Sequence, residues 1–322
     1  MINLLTYNIP FISIFILMIS AFITPLLPLK KRLPEKVLCY VIIFVAILSA
    51  YLLYYLTNSN QDLAFNFPMG HVPAPWGNEL RAGPLEAVLS LVFCIAMLLS
   101  ITGNLSSTAE DISPARRQIF CVLISLLTAS LLALTYTNDL FTAYVFIEIN
   151  TIAACAIVAV KEGASTVRAA LKYLIMSLVG SGLVMISICL LYDLTGHLLM
   201  QNMHGAIKVL MITKDYMMPL TVALALMTVG LGIKSALYPF SFWLPDAHGY
   251  STNASSAILS GLVLKGHIFA LIKIYYRVFG LDVIHYLRMD IVTFILGLLA
   301  MIMGSVHALK QNNIKRMIAW SS

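Results

Sequence analysis

Charge is scarce in this chain: Lys, Arg, Asp and Glu make up 11% of its 322 residues, while 60% are hydrophobic and the mean hydropathy is +0.92. Soluble globular domains carry about 25% charged residues. The scarcity therefore excludes a water-soluble fold and leaves an integral membrane protein. Cysteine is sparse too: Cys39, Cys94, Cys121, Cys155 and Cys189 are dispersed, mostly within apolar runs. Without C-x-x-C spacing they offer no zinc or iron–sulfur ligand set, so no metal and no cofactor is expected. A basic segment ahead of the first apolar run is also missing. The cluster Lys30-Lys31-Arg32 follows that run instead, which argues for a first span with its N-terminus outside the cytoplasm, not a cleaved signal peptide. No basic stripe with interleaved aromatics lies outside the apolar runs, so nucleic acid is not an expected partner. The net charge of +6 reads as membrane topology.

Long apolar runs are abundant. A spanning helix needs about 20 apolar residues, and the sequence offers such runs at 8–29, 37–57, 84–103, 115–136, 139–160, 167–192, 217–238, 255–277 and 290–309, with a tenth beginning near Ile314. The expected fold is an all-α polytopic membrane protein of nine to ten spans. Helix-entry chemistry marks several starts: Ser113-Pro114, Asn138-Asp139 and Ser165-Thr166, with Gly103-Asn104 as an exit. If the first loop is cytoplasmic, that side collects Lys30, Lys31, Arg32, Lys36, Arg116, Arg117, Lys161, Arg168, Lys310, Lys315 and Arg316. The other side has Arg81, Lys208, Lys214, Arg277 and Arg288. That bias predicts a multi-pass protein of the cell inner membrane. Two long loops on the poorer side predict structure: a short hairpin within Asn58–Gly83, with a turn signal at Gly77-Asn78, and an interfacial helix within His197–Met217.

Four charged side chains fall at membrane depth: Glu148, Lys172, Lys234 and Lys265. Such groups cost about 2.5–3.5 kcal/mol on insertion scales and mark ion pathways by default. Glu148 stands mid-span, where a nearby ammonium would keep it charged, so a Glu148–Lys234 pair is expected; a purely packing ion pair is the competing reading. Lys234 precedes a segment carrying Pro239 and Pro245, which breaks the seventh helix and frees backbone groups that only a buried or wet site can satisfy. Lys172 sits near a span end, where a transport role and snorkelling to the interface stand as equal readings. Lys265 is central in its span. His267 lies about 200° from it around a helix, so the two cannot share one narrow face; His267 is either a relay group or a satisfied core histidine. Lys273, about 12 Å further along, is a candidate exit group or, by the simpler reading, an interface anchor. His248, just beyond the break segment Tyr238–Asp246, is one more candidate relay group.

The segments GLGIKSALYPFSFWLPDAH and SAILSGLVLKGHIFALIKIY, together with FTAYVFIEI, RAALKYLIMSLVGSGL and NNIKRMIAWSS, resemble the antiporter-like membrane subunits shared by respiratory complex I, membrane-bound hydrogenases and Mrp-type cation/proton antiporters. PAPWGNELR looks most like the D-type Mrp subunit and its hydrogenase relatives. The resemblance implies a subunit that translocates protons or sodium ions beside other membrane subunits in a lipid bilayer, with Glu148 and Lys234 as the charged couple and Lys265 as the central relay. It implies no redox chemistry in this chain, whose wider complex is an oxidoreductase or an antiporter. Readings from other classes are a quinone-binding subunit and a structural membrane anchor. The chain departs from the family at Ser241, where histidine is frequent, in STNASSA, where a proline is expected, and at His267, where glycine is frequent. Family members carry about fourteen helices in two inverted five-helix repeats. On that template residues 1–112 form a three-helix segment, 113–280 the first repeat, and 281–322 the start of a second, so the chain reads either as C-terminally truncated or as completed by another chain.

Overall fold

A computed structural model describes residues 4–28, 32–58, 64–72 and 77–322. Among the described residues, nine helical segments are long and apolar enough to cross a membrane, as the hydropathy predicts. In chain order the helices are α1 (Leu4–Ile23), α2 (Leu33–Asn58), α3 (Pro84–Thr102), the short α4 (Leu105–Asp111), α5 (Pro114–Tyr136), α6 (Leu140–Ala159), α7 (Ala164–Thr195), α8 (Met200–Thr213) and α9 (Met217–Lys234). They continue with α10 (Leu244–Tyr250), α11 (Asn253–Ile258), α12 (Leu264–Ile274), α13 (Leu281–Tyr286), α14 (Met289–Leu309) and α15 (Ile314–Ser321). The segment Asn253–Phe279 is one span interrupted by π turns at Leu259–Val263 and Tyr275–Phe279. Such turns insert a residue into the helical register, and a simple apolar run gives no hint of them.

The predicted hairpin exists: strand β1 (Phe65–Pro68) pairs antiparallel with β2 (Glu79–Ala82), Phe65 opposite Ala82. Gly77 and Asn78 lead directly into β2, and the PAPW part of the quoted motif, 73–76, lies outside the described residues, as do Lys30 and Lys31. The helix predicted within His197–Met217 is α8, where Met200, Met203 and Ile207 form the buried stripe at helical spacing.

Two apolar cores organise the bundle. One joins α1, α2, α3 and α5 with the Leu259–Val263 turn; the other joins α6, α7, α8, α9 and the C-terminal part of the interrupted span. Helix α5 is central, with 78% of its apolar window buried. Helix α14 is peripheral, with none of its window buried. Capping follows the sequence in part. Asp139 accepts from the Thr142 amide at the start of α6, and proline at the start of α5 presets the first turn although the Ser113 side chain makes no cap. Helix α7 begins at Ala164, before the predicted Ser165-Thr166, because Gly163 takes φ +148°, a conformation open to glycine alone.

Candidate functional site

Helices α6, α7 and α9 meet around one charged couple. Lys234 Nζ lies 3.2 Å from Glu148 Oε1 and donates to Thr151 Oγ1 at 2.9 Å. Thr151 stands three residues after Glu148, on the same helix face. From α7 the Ser181 hydroxyl donates to the same Glu148 oxygen. The lysine side chain is fully buried and the carboxylate is 21% exposed. A cation at the C-terminal end of α9 also faces the negative end of its own helix dipole.

Glycine makes this approach possible. A Cβ on Gly180 would stand 2.8 Å from the Gly230 carbonyl oxygen and 3.3 Å from Lys234 Cγ, and one on Gly230 would stand 2.7 Å from Val184 Cγ2. Helices α7 and α9 therefore pack backbone to backbone, as small residues allow between membrane helices, and Ser181 and Lys234 come to one level. Neither Thr151 nor Ser181 stands out as a site residue in the sequence. The i, i+3 spacing from Glu148 is a signal that could find the first; the second becomes visible only once Gly180 and Gly230 are known to touch.

The break after Lys234 begins earlier than the predicted span end at 238. Ser235 caps α9, Ala236 sits at φ 56°, and Pro239 follows a cis peptide bond. The freed carbonyls find donors: Ser235 N–H bonds to Leu231 O at 2.9 Å, Leu237 N–H to Gly232 O at 2.8 Å, and Trp243 Nε1–H to Ile233 O at 3.3 Å. These bonds pair three of the last four carbonyls of α9, as orphan helix-end groups away from water require. Pro245 sits in the first turn of α10, where its missing N–H costs nothing.

The other sequence-predicted residues divide. Lys172 does not snorkel freely; its Nζ donates to Asp246 Oδ2 at 2.8 Å. His248 is buried on α10, with Nδ1 2.5 Å from Ser256 Oγ and Nε2 unpartnered among the described residues. His267 is 1% exposed; no well-aligned hydrogen bond reaches its two ring nitrogens among the described residues, and Lys234 lies beside the ring both as a charge and through its backbone. Lys265 is exposed on the flank of α12, with no hydrogen bond or ion pair among the described residues. The helical angle between the two thus puts His267 inward and Lys265 outward, and Lys265 is not brought into the Glu148–Lys234 cluster.

Lys273 corrects the simpler sequence reading. It is 4% exposed, so it is no interface anchor; it donates to Leu134 O at 3.3 Å, to Thr135 O at 2.8 Å and to Thr137 O. These are orphan carbonyls at the end of α5, which a lysine cation caps favourably. Nearby, buried Glu86 pairs with Arg277 at the hairpin end of the bundle. Burial, followed by the Arg277 charge, holds Arg81 in β2 below the ordinary guanidinium range, against the opposing pull of Glu86 and Glu79. Among the described residues no group of three or more His, Cys, Asp or Glu side chains could hold a metal.

The fold has relatives among solved structures. The chain matches one in the membrane-bound sulfane sulfur reductase, an archaeal respiratory membrane complex, with TM-score 0.83 and 24% identity over 98% of this chain and 62% of that one. It also matches a chain of the Mrp complex from Dietzia sp. with TM-score 0.85 and 20% identity over 99% and 57%. At these identities the likeness is one of fold. By sequence, it is 33% identical over 258 residues to NADH-quinone oxidoreductase subunit N of Desulforudis audaxviator, covering 78% of this chain and 48% of that protein. It is 26% identical over 253 residues to the D-type subunit of the Na(+)/H(+) antiporter of Bacillus subtilis, covering 79% and 49%. The chain thus spans about half the length of the curated relatives it matches. The profile of the family described as NADH:quinone oxidoreductase/Mrp antiporter, TM, matches residues 137–322, which include Glu148, Lys234, the broken helix and Lys265, and the chain belongs to that family.

Proposed function

We propose that this chain carries an ion-translocating site of a multisubunit membrane complex, in which Glu148 and Lys234 form the charged couple and a proton passes from Lys234 by way of His267 toward Lys265. The observation that carries the reading is the 3.2 Å pair between a fully buried lysine and a carboxylate on a neighbouring helix, at the break of α9. A buried lysine holds its proton while the carboxylate is close and gives it up when the carboxylate moves away, because desolvation then dominates. His267 supports the next step: it faces inward from α12, whereas Lys265 looks outward. A path from the couple to Lys265 therefore runs through or past α12, beside the His267 ring. Lys172 belongs to the approach to the couple from the Lys/Arg-rich end, and Lys273 serves α5 as a cap.

The relatives' names include a quinone oxidoreductase subunit and cation/proton antiporter subunits. Protons and sodium ions are accordingly the proposed cargo, and other membrane subunits the proposed partners. The Lys/Arg asymmetry between loops supports an N-terminus outside the cytoplasm of an inner-membrane protein. The test is Glu148→Ala and Lys234→Ala in the assembled complex, reconstituted in proteoliposomes. Coupled transport is expected to vanish with assembly preserved. Undiminished transport would overturn the proposal and leave a structural anchor.

A further inference from the structure

The half-helix α10 is held from two sides by one carboxylate. Asp246 Oδ2 accepts from Lys172 Nζ on α7 at 2.8 Å, and Oδ1 accepts from Arg316 Nη2 on α15 at 3.1 Å. Each cation also touches an aromatic ring beside the carboxylate. Lys172 Nζ lies 5.2 Å from the Phe242 centroid; the Arg316 guanidinium lies 5.1 Å from that of Tyr250 and donates to its hydroxyl at 2.9 Å. Gly249 leaves room for this, since a Cβ there would meet Arg316 Cγ and Nε at 3.1 Å. The three charged side chains keep about a third of their surface, at 38%, 31% and 32%. Pairs so exposed are individually weak and readily broken, which suits a clamp that opens.

The segment between Lys234 and Asp246 transmits the clamp's position. Tyr173, the chain neighbour of Lys172, stacks on Trp243 with centroids 4.4 Å apart. Trp243 in turn donates to Ile233 O, the carbonyl just before Lys234. A shift of α10 therefore pulls on the last turn of α9. We propose that Asp246 is a positioning residue of the ion path: by joining Lys172 to Arg316 it fixes α10 and, through Trp243, the backbone of Lys234, so that a displacement of α15 is felt at the Glu148–Lys234 pair. This rests on the reading of that pair as the transport couple.

The test measures transport rate, apparent ion KM and pH profile in vesicles carrying the assembled complex with Asp246→Asn, Asp246→Glu, Lys172→Met, Arg316→Gln and the Lys172→Met/Arg316→Gln double variant. Glu148→Ala serves as the reference. Asp246→Asn is expected to lower the maximal rate about tenfold, the scale of a sub-ångström misplacement, and to displace the pH profile, while Asp246→Glu restores most of the rate. Each single cation variant is expected to lose about two- to fivefold, and the double variant to fall to the level of Asp246→Asn. A normal rate and profile in Asp246→Asn beside an inactive Glu148→Ala would overturn the positioning role alone. An active Glu148→Ala would overturn the underlying reading as well. If Asp246→Asn fails to assemble, the two cation variants decide: a double variant no slower than the worse single variant, or normal rates in both, would overturn the shared clamp.

Discussion

Lys234 and Lys265 are both lysines in apolar spans, and the fold treats them oppositely. Lys234 is fully enclosed by Glu148, Thr151 and the close contact of α7 with α9. Lys265 lies on an open flank of α12, and α14, the next span, leaves its own window exposed. The difference teaches that charge at membrane depth does not by itself say where a proton goes. Lys234 has an acceptor beside it because three helices bring one there. On the path we propose, Lys265 is the terminus within this chain, reached past His267 and facing outward.

The largest expected effect breaks that comparison directly. Lys234→Ala leaves a mostly buried carboxylate without its cation and is expected to destabilise the fold by about 3 kcal/mol. Lys265→Ala, on an exposed flank, is expected to stay within about 0.5 kcal/mol. Thermal unfolding of both variants in detergent checks this, and equal losses would deny the asymmetry. A glycine pair gives the next test. Gly180→Ala forces α7 away from the Gly230 carbonyl and Lys234 Cγ, with an expected cost of about 2 kcal/mol by overpacking. Gly261→Ala meets nothing within 4 Å and is expected to be neutral in the same unfolding assay.

Lys273 sharpens the comparison from a third side, as a buried lysine whose hydrogen bonds all go to backbone carbonyls. Lys273→Met strips the donor from three carbonyls at the end of α5 and is expected to cost about 1–3 kcal/mol. Its transport effect should follow the loss of folded protein and nothing more, measured as rate per folded complex. A loss of about 1 kcal/mol is expected in the same unfolding assay from Thr151→Val, which removes one hydrogen bond to Lys234.

Much of this is legible in the chain itself. Apolar run length gives the spans, because the bilayer fixes how much apolar helix is needed, and Pro239 with Lys234 marks the broken helix. Glu148 has only lysines as oppositely charged candidates at its depth, which makes a pair with Lys234 the economical reading of the sequence. Lys273 reads wrongly as an anchor because hydropathy locates a residue along a helix and not around it; only the packing of α12 against α5 reveals its three carbonyls. The π turns at Leu259–Val263 and Tyr275–Phe279 add a register shift that no 3.6-residue periodicity carries. Asp246 looks like ordinary loop polarity in the sequence, since its two cations come from 74 and 70 residues away.

The central claim is that Glu148 and Lys234 work as one unit. The most direct measurement is a double-mutant cycle on coupled transport in proteoliposomes, with the conservative variants Glu148→Asp and Lys234→Arg, which leave a measurable rate, and their double variant, all normalised to assembled complex. If the pair is the couple, each single variant lowers the rate and the double variant is no slower than the worse single one. Independent losses that multiply in the double variant, or normal rates in both single variants, would contradict it.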